Sequence, residues 1–505
     1  MITIDPELCV GCRLCARECP TGAIRMEGRK AVPDQGCASC ALCVRLCEKR
    51  AITLSVEAAE KRVRCGNCPV ECAILEGFTG ACRRYRNVGG RLVLDRPLVV
   101  PSHVGPRTET VLDPLITGVG AGTTSPCFAP APYIVEESFD GIDVVTVVSE
   151  VPFSYSGLKL KVDTNLYLGE EGARVRREGR PIGMVETEEY GSKMLALGGV
   201  NTFHGPYGCT AARTISELCN RGEVDLKVAD GARLRVRVGG RPSVDGVPAG
   251  RMRVGCGSAA TAMFAPYFAR VADEVLVLDP GITGLFSEHM AGRAMGKTWS
   301  GITPVGRKST IGRYFGEAGQ GLGGTCFTDP REAVASIDPE LARPGTTLFV
   351  TDTTGESGFL FQLDQRLELV EAPLTAEARR VMELMQENAE ESRVSALLMA
   401  GAGGSARSGV TKFPIKLTRA VHQGLVRLTM GGAGVFLLPG GGITFAVDVE
   451  RLPERAVTWV PTPAMVAPIE YTMRREVYQQ VEGHMEAIRA RSEALSGRSV
   501  VTQQE

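Results

Sequence analysis

The sequence predicts a multidomain chain of mixed α+β and α/β class, with a small cysteine-rich head and a much larger glycine-rich body. Three observations carry this expectation. Twelve of the 17 cysteines fall within the first 82 residues. After Leu98 the composition turns to valine-rich segments separated by glycine turns, and from about Gly345 short apolar runs alternate with amphipathic ones in strand-then-helix order. At 505 residues, with roughly 100 to 200 residues per domain, the chain divides into a head at 1–56, a further cysteine segment at 57–97, a β-rich α+β body at 98–344 and a C-terminal α/β region at 345–505.

The head carries two successive runs, Cys9-x2-Cys12-x2-Cys15-x3-Cys19 and Cys37-x2-Cys40-x2-Cys43-x3-Cys47. This is the ligand pattern of a two-cluster ferredoxin-like module, in which the fourth thiolate of each run reaches the other centre. Cys9, Cys12, Cys15 and Cys47 are expected to hold one 4Fe-4S cluster, and Cys37, Cys40, Cys43 and Cys19 the second. Pro20 follows Cys19 as the pattern requires, whereas Glu48 stands at the matching place after Cys47. The pseudo-repeat of PTGAI at 20–24 and EKRAI at 48–52 suits two similar halves. A third group, Cys65-x2-Cys68-x3-Cys72-x9-Cys82, suits either another 4Fe-4S cluster or zinc, and the single Cys-x2-Cys pair favours iron-sulfur.

A disulfide framework would need an oxidising compartment. The start, MITIDPELC, has neither a basic n-region nor an apolar h-region, and no stretch reaches the roughly 18 apolar residues of a membrane span. A cytoplasmic protein is therefore expected. The formal net charge of -1 argues against a nucleic-acid or membrane-surface partner. An apolar fraction of 44% with 23% charged residues allows a sizeable core.

In the body, Ile142–Val151 reads as a buried strand and Leu158–Val162 as a half-exposed one. Val224–Val228, the Asp230-Gly231 turn and Leu234–Val238 read as a hairpin with Arg233, Arg235 and Arg237 on a solvated face. Helices are expected near Ala211–Cys219 and Ser258–Ala269, the latter leading into the strand Glu274–Leu278. Further on come the strand Thr347–Thr351, the helix Thr375–Asn388, the strand Ser395–Met399, a helix from Lys412 and a final helix over about Met473–Ala494 that packs on the body or a partner subunit.

Clusters pass single electrons, so a large body joined to them calls for a group that converts pairs of electrons into hydride. A flavin, FAD or FMN, does this. The segment GAGGSARSG, with Gly401, Gly403, Gly404, Ser405 and Gly409, is the candidate phosphate cradle between strand and helix; a plain tight turn is the alternative. Gly431–Gly442 is a second candidate edge. His204, Tyr207 and Cys209 form the densest set of proton donors in the body, although a hydrogen-bonded glycine-proline turn would look the same. Arg213 follows them. Arg293, Lys297, Arg307, Lys308 and Arg313 form a cationic run among glycines that could clamp a carboxylate or line the surface. Cys127, Cys219, Cys256 and Cys326 read as isolated buried thiols. Lys159, Lys161, Glu170, Glu171, Glu188, Glu189 and Lys193 add polar groups that the sequence does not rank.

The three cysteine groups, with CGNCPVEC...GACRRY and the segments VSEVPFSYSGLKLKVDTN, EEYGSKMLALGGVN, GPYGCTAARTISELCNRGEVD and LLPGGGITFAVDVE, resemble the ferredoxin-dependent 6-hydroxynicotinate reductases through most of the chain. The resemblance implies an oxidoreductase acting on CH-CH bonds: ferredoxin donates the electrons, and a small heteroaromatic acid, 6-hydroxynicotinate, becomes 6-oxo-1,4,5,6-tetrahydronicotinate. It places Arg213, Arg293, Lys308 or Arg313 on the ring carboxylate and allows a homo-oligomer. A reductase of another heterocycle or lactam is the alternative, as is a non-catalytic electron-transfer subunit.

Overall fold

The computed structural model describes residues 2–19, 22–35, 37, 42–54, 62–65, 72–80, 85–94, 130–131, 133–187, 192–460 and 463–490. Pro20, Cys40, Cys68, Cys82, Cys127, Glu188 and Glu189 lie outside these ranges. Two compact units are formed. One comprises Met1–Lys159, Leu197–Gly222 and Ala396–Glu505, and the other Leu160–Ala196 and Glu223–Ser395. The boundary expected at 344/345 falls inside the second unit, because the strands on either side of it pair with one another.

The first unit begins with two similar halves. Ile2–Ile4, helix Leu14–Glu18 and strand Ile24–Glu27 make one; Lys30–Pro33, helix Leu42–Leu46 and Ile52–Leu54 make the other. Pairing interleaves them. Ile2–Ile4 runs antiparallel to Ile52–Leu54, while Ile24–Glu27 runs antiparallel to Lys30–Pro33. Two more hairpins follow, Arg62–Arg64 with Ala73–Leu75 and Tyr85–Val88 with Arg91–Leu94. The larger sheet of this unit runs in the order Arg489–Ala490, Tyr133–Phe139, Ile142–Phe153, Ala464–Arg474, Val426–Met430, Ala433–Leu437, Ile443–Asp448 and Arg393–Ala402. All neighbours are antiparallel except the first pair.

The final long helix does not form. The strand Ala464–Arg474 continues through Met473 because Tyr471 and Met473 are buried between Val145–Val147 and Val426–Leu428. Among the described residues of this range, Arg475–Gln480 is α-helical and Met485–Ala487 forms a single 3-10 turn. Glu482 then turns at φ 57, and Gly483 lies so close to Tyr478 that a Cβ would stand 2.3 Å from its ring.

The second unit is built on a seven-stranded sheet ordered Arg307–Thr310, Arg313–Phe315, Ile282–Leu285, Glu274–Leu278, Thr347–Asp352, Gly358–Leu363 and Leu369–Ala372. Only Glu274–Leu278 and Thr347–Asp352 are parallel. Both faces are covered. Val275, Val277 and Phe349 pack with Phe264, Phe268, Val381 and Met385, whereas Leu276, Leu278, Leu348 and Val350 pack with Ile302, Tyr314 and Phe361. Double-sided burial explains why the run EVLVL is apolar without alternation.

The helix Thr375–Asn388 appears as Ala376–Asn388 with the Thr375 hydroxyl accepting from Ala378 N. The helix expected over Ser258–Ala269 divides at Phe264 into Gly257–Met263 and Ala265–Val271, with Pro266 in the first turn of the second. The hairpin Val224–Val228 with Arg233–Val236 forms in register, and Arg233, Arg235 and Arg237 are exposed. The C-terminal region expected as one α/β body is divided: 347–388 completes the second unit, and 396–490 supplies most of the first unit's antiparallel sheet.

Candidate electron-transfer and active site

Among the described cysteines, Cys9, Cys12, Cys15, Cys37, Cys47, Cys219, Cys256 and Cys326 are free thiols. In the N-terminal module Cys15, Cys37 and Cys43 share one apolar core with Ile2, Ile24 and Ile52, and Cys9, Cys19 and Cys47 pack against it. The fourth cysteine of each run is treated alike. Ala23 N donates to Cys19 Sγ at 3.2 Å, and Ala51 N donates to Cys47 Sγ at 3.4 Å. Hydrogen bonds to ligand sulfurs are among the levers that set a cluster's potential. The loop carrying Cys12 is tightly seated. Gly11 has φ +71, and a Cβ there would lie 2.1 Å from Arg29 O; Lys30 Nζ reaches Pro6 O at 2.6 Å and Cys9 O at 2.8 Å.

These residues fit a cluster ligand set. Among the described residues no three His, Cys, Asp or Glu side chains form a site for a single metal ion. Cys65 and Cys72 of the third group are buried against Ile74, Tyr85, Leu92, Ala464 and Val466, with Cys65 N bonded to Cys72 O at 2.8 Å. Cys68 and Cys82 are outside the described residues.

His204, Tyr207, Cys209 and Arg213 occupy the turn and first two turns of helix Gly208–Cys219 in the first unit. His204 and Tyr207 are exposed and Cys209 is half-buried. The His204 ring meets Tyr155 edge-on at 5.2 Å. Arg213 Nη1 donates to the Arg17 carbonyl at 3.0 Å, so this segment lies against the N-terminal module.

In the glycine-rich loop, Gly401 and Ala402 pair with Thr444 and Ile443 in the sheet. Gly403 precedes the one-turn helix Gly404–Ser408, and Gly409 O accepts from Ala131 N at 2.7 Å. Five helical residues supply little dipole for a phosphate. The loop's own Arg407, half-buried and bonded to Gly403 O and Thr418 Oγ1, is its cationic group. The sequence reading missed it.

The cationic run lies in the second unit. Arg293, Lys308 and Arg313 are exposed, and Lys308 Nζ is paired with Glu288 Oε1 at 2.7 Å. Burial works to raise the Glu288 carboxyl, but hydrogen bonds from Lys308, Tyr314 and Gly312 outweigh it and hold the group below its usual range. His289, buried nearby, is pushed down by burial and by the Arg313 charge. Ala291 N donates to its Nδ1 at 3.1 Å, which puts the proton on Nε2, 3.0 Å from Ser258 Oγ. His289 therefore gives a hydrogen bond to Ser258 and cannot take its proton, so the pair is not a hydrolytic nucleophile and base.

Two buried groups had no sequence signal beyond a charge in an apolar neighbourhood. Arg253 and Asp279 form a fully enclosed ion pair at 2.7 Å, and Glu470 sits inside the first unit's sheet. Lys193 is also fully buried. Cys219 is buried and pushed up to about 12 by that burial, whereas Cys326, expected to be buried, is exposed. Cys256 is partly exposed and caps helix Gly257–Met263, accepting from Ala259 N.

A thiol-rich module docked on a large sheet-bearing body defines an iron-sulfur oxidoreductase. Comparison with known proteins agrees: the 4Fe-4S binding domain family matches residues 2–25. A 6-hydroxynicotinate reductase of Eubacterium barkeri is 48% identical over 497 residues, covering 98% of this chain and 100% of the relative. The chain belongs to the 6-hydroxynicotinate reductase family. No solved structure matches it. Among the described residues no helix is long and apolar enough to cross a membrane.

Proposed function

We propose that this chain reduces 6-hydroxynicotinate to 6-oxo-1,4,5,6-tetrahydronicotinate in the cytoplasm, with ferredoxin as electron donor. The reading is supported above all by the family relationship over 98% of the chain. The contact between Arg213 and Arg17 adds to it by bringing the proton-donor segment beside the module. Two electrons and two protons convert the ring to the product. A flavin bound here would have its phosphate held near Gly401, Gly403, Gly404, Ser405 and Gly409, with Arg407 as the cation, and would supply the change from single electrons to hydride.

The chain's own residues hold the clusters and the substrate and move protons. Cys9, Cys12, Cys15 and Cys47 hold one 4Fe-4S cluster; Cys37, Cys40, Cys43 and Cys19 hold the second; Cys65, Cys68, Cys72 and Cys82 hold a third. His204, Tyr207 or Cys209 delivers the proton to the ring. Within the second unit's cationic run, Lys308 is already paired with Glu288, which leaves Arg293 and Arg313 as that run's candidates for a carboxylate.

Assay of iron, sulfide, zinc and flavin on anaerobically purified protein tests the cofactor set. The expected result is about twelve iron atoms per chain, from three four-iron clusters, with stoichiometric flavin. About eight iron atoms with one zinc would overturn the third cluster, and full iron without flavin would overturn the hydride route. Turnover of 6-hydroxynicotinate with reduced viologen tests the substrate, and inactivity on it would sink that assignment. Light scattering reads the expected homo-oligomer.

A further inference from the structure

Helix Leu14–Glu18 ends between two cluster ligands, Cys15 and Cys19. The last carbonyls of a helix lack intrahelical partners and need a donor from outside. Arg213 supplies one from the body, with Nη1 3.0 Å from Arg17 O. The helix that carries Arg213 is anchored at both ends. At its start, a Cβ on Gly208 would stand 2.1 Å from Phe203 O and 2.5 Å from Pro463, so the backbone is pressed against both. At its end, Asn220 Nδ2 reaches Val457 O at 2.6 Å and Arg221 Nη2 reaches Glu450 O at 2.6 Å. Cys209, one turn before Arg213, lies on the same helix face. By contrast, Cys12 is exposed, as are Leu8 and Val10 just before it in the chain, at 49% and 55%.

We propose that Arg213 is a positioning residue marking where electrons leave the N-terminal module for the body. It holds the Cys15–Cys19 turn against helix Gly208–Cys219 and fixes a positive charge beside ligands of both clusters. This rests on the reading that the clusters feed a reaction in the body, and it moves Arg213 from the substrate carboxylate to the electron path. Reducing a cluster adds one electron and one negative charge. A fixed guanidinium favours that state, so removing it makes reduction harder.

The test uses the full-length, cluster-loaded protein and compares Arg213→Ala, Arg213→Lys, Arg213→Gln and Lys30→Met. EPR-monitored titration of Arg213→Ala is expected to move at least one module midpoint negative by about tenfold in the reduced-to-oxidised ratio, ~59 mV for one electron. Deuterium uptake is expected to rise across residues 13–19 and 208–214. Arg213→Lys keeps the charge and is expected to keep the midpoint while losing protection, since an ammonium lacks the planar fork. Should Arg213→Ala fail to fold, Arg213→Gln retains an N–H donor for Arg17 O and isolates the loss of charge. Lys30→Met removes a charge held by Pro6 O and Cys9 O, and is expected to leave uptake at 208–214 unchanged.

Wild-type midpoints and uptake in Arg213→Ala would overturn the proposal. So would equal effects of Lys30→Met on both readouts, which would reduce the role to general charge. Neither readout needs substrate, so failure to turn over 6-hydroxynicotinate would count against the function while leaving this assignment to be decided by the titration and the exchange.

Discussion

Replacing Asp279 by alanine is expected to destabilise the second unit by about 3–5 kcal/mol, the range for breaking a buried ion pair from one side. Its carboxylate is fully buried. Oδ2 accepts from Arg253 Nη1 at 2.7 Å and from Gly257 N at 3.0 Å, and Oδ1 accepts from Gly281 N at 2.6 Å and Ile282 N at 2.9 Å. Removing it strands a buried guanidinium whose Nε already has no hydrogen-bond partner, together with three backbone N–H groups. These groups join the start of helix Gly257–Met263 to the end of strand Glu274–Leu278, where that strand lies parallel to Thr347–Asp352. Urea unfolding reads the loss as a lower midpoint. Glu383→Ala, which removes the exposed pair with Arg380, is expected to unfold close to wild type, because solvent screens that interaction. A small effect of Asp279→Ala would show that the site relaxes to admit water. The double change Arg253→Met with Asp279→Leu is expected to recover only the part due to the stranded guanidinium, because the three backbone N–H groups still lose their acceptor.

The second large effect depends on pH. Glu470 is fully buried in the strand Ala464–Arg474, where its Oε2 accepts from Thr429 Oγ1 at 2.7 Å and Gly432 N at 3.2 Å, while Oε1 has no hydrogen-bond partner. Burial raises this carboxyl from 4.5 to about 7. Between those values the folded chain holds a proton that the unfolded chain releases, so stability falls as pH rises through this window and the loss is complete above about pH 7. The size is about 3 kcal/mol, taking 1.36 kcal/mol per pKa unit. Melting temperatures measured from pH 5 to pH 8 should therefore decline in the wild type and lose much of that slope in Glu470→Gln, with the variant the more stable at pH 8. Parallel curves for the two proteins would show that Glu470 stays ionised throughout.

How far the sequence could be read depended on whether a feature was local. The cysteine runs were legible because cluster ligation imposes fixed spacing on neighbouring residues. Glu274–Leu278 and Thr347–Asp352 were legible because their apolar runs are bounded by turn residues, and the helix Ala376–Asn388 because its amphipathic pattern lies within its own residues. Non-local pairing hid the rest. The charge pattern after Met473 resembles an amphipathic helix, yet Tyr471 and Met473 are claimed by two neighbouring strands, and Glu482 and Gly483 end what helix remains. Nothing in the one-dimensional order says that 396–490 belongs with the first 159 residues. Of the candidate site, the residue types were visible but their neighbours were not. Arg213 reads from sequence as a substrate clamp because its contact is with a carbonyl about two hundred residues earlier in the chain. Glu470 did leave a trace, as one carboxylate inside the run MVAPIEYTM.

The seat of the third cysteine group has a consequence for how the protein comes into being. Cys65 and Cys72 rest on Ala464 and Val466, at the far end of the chain. At roughly 5–20 residues per second of synthesis, the ribosome needs on the order of tens of seconds to reach that strand after these thiols emerge. During that interval they are open to solvent, oxidants and whichever metal arrives first. The apolar seat of these two thiols is therefore completed only late in synthesis, once the strand Ala464–Arg474 has been made.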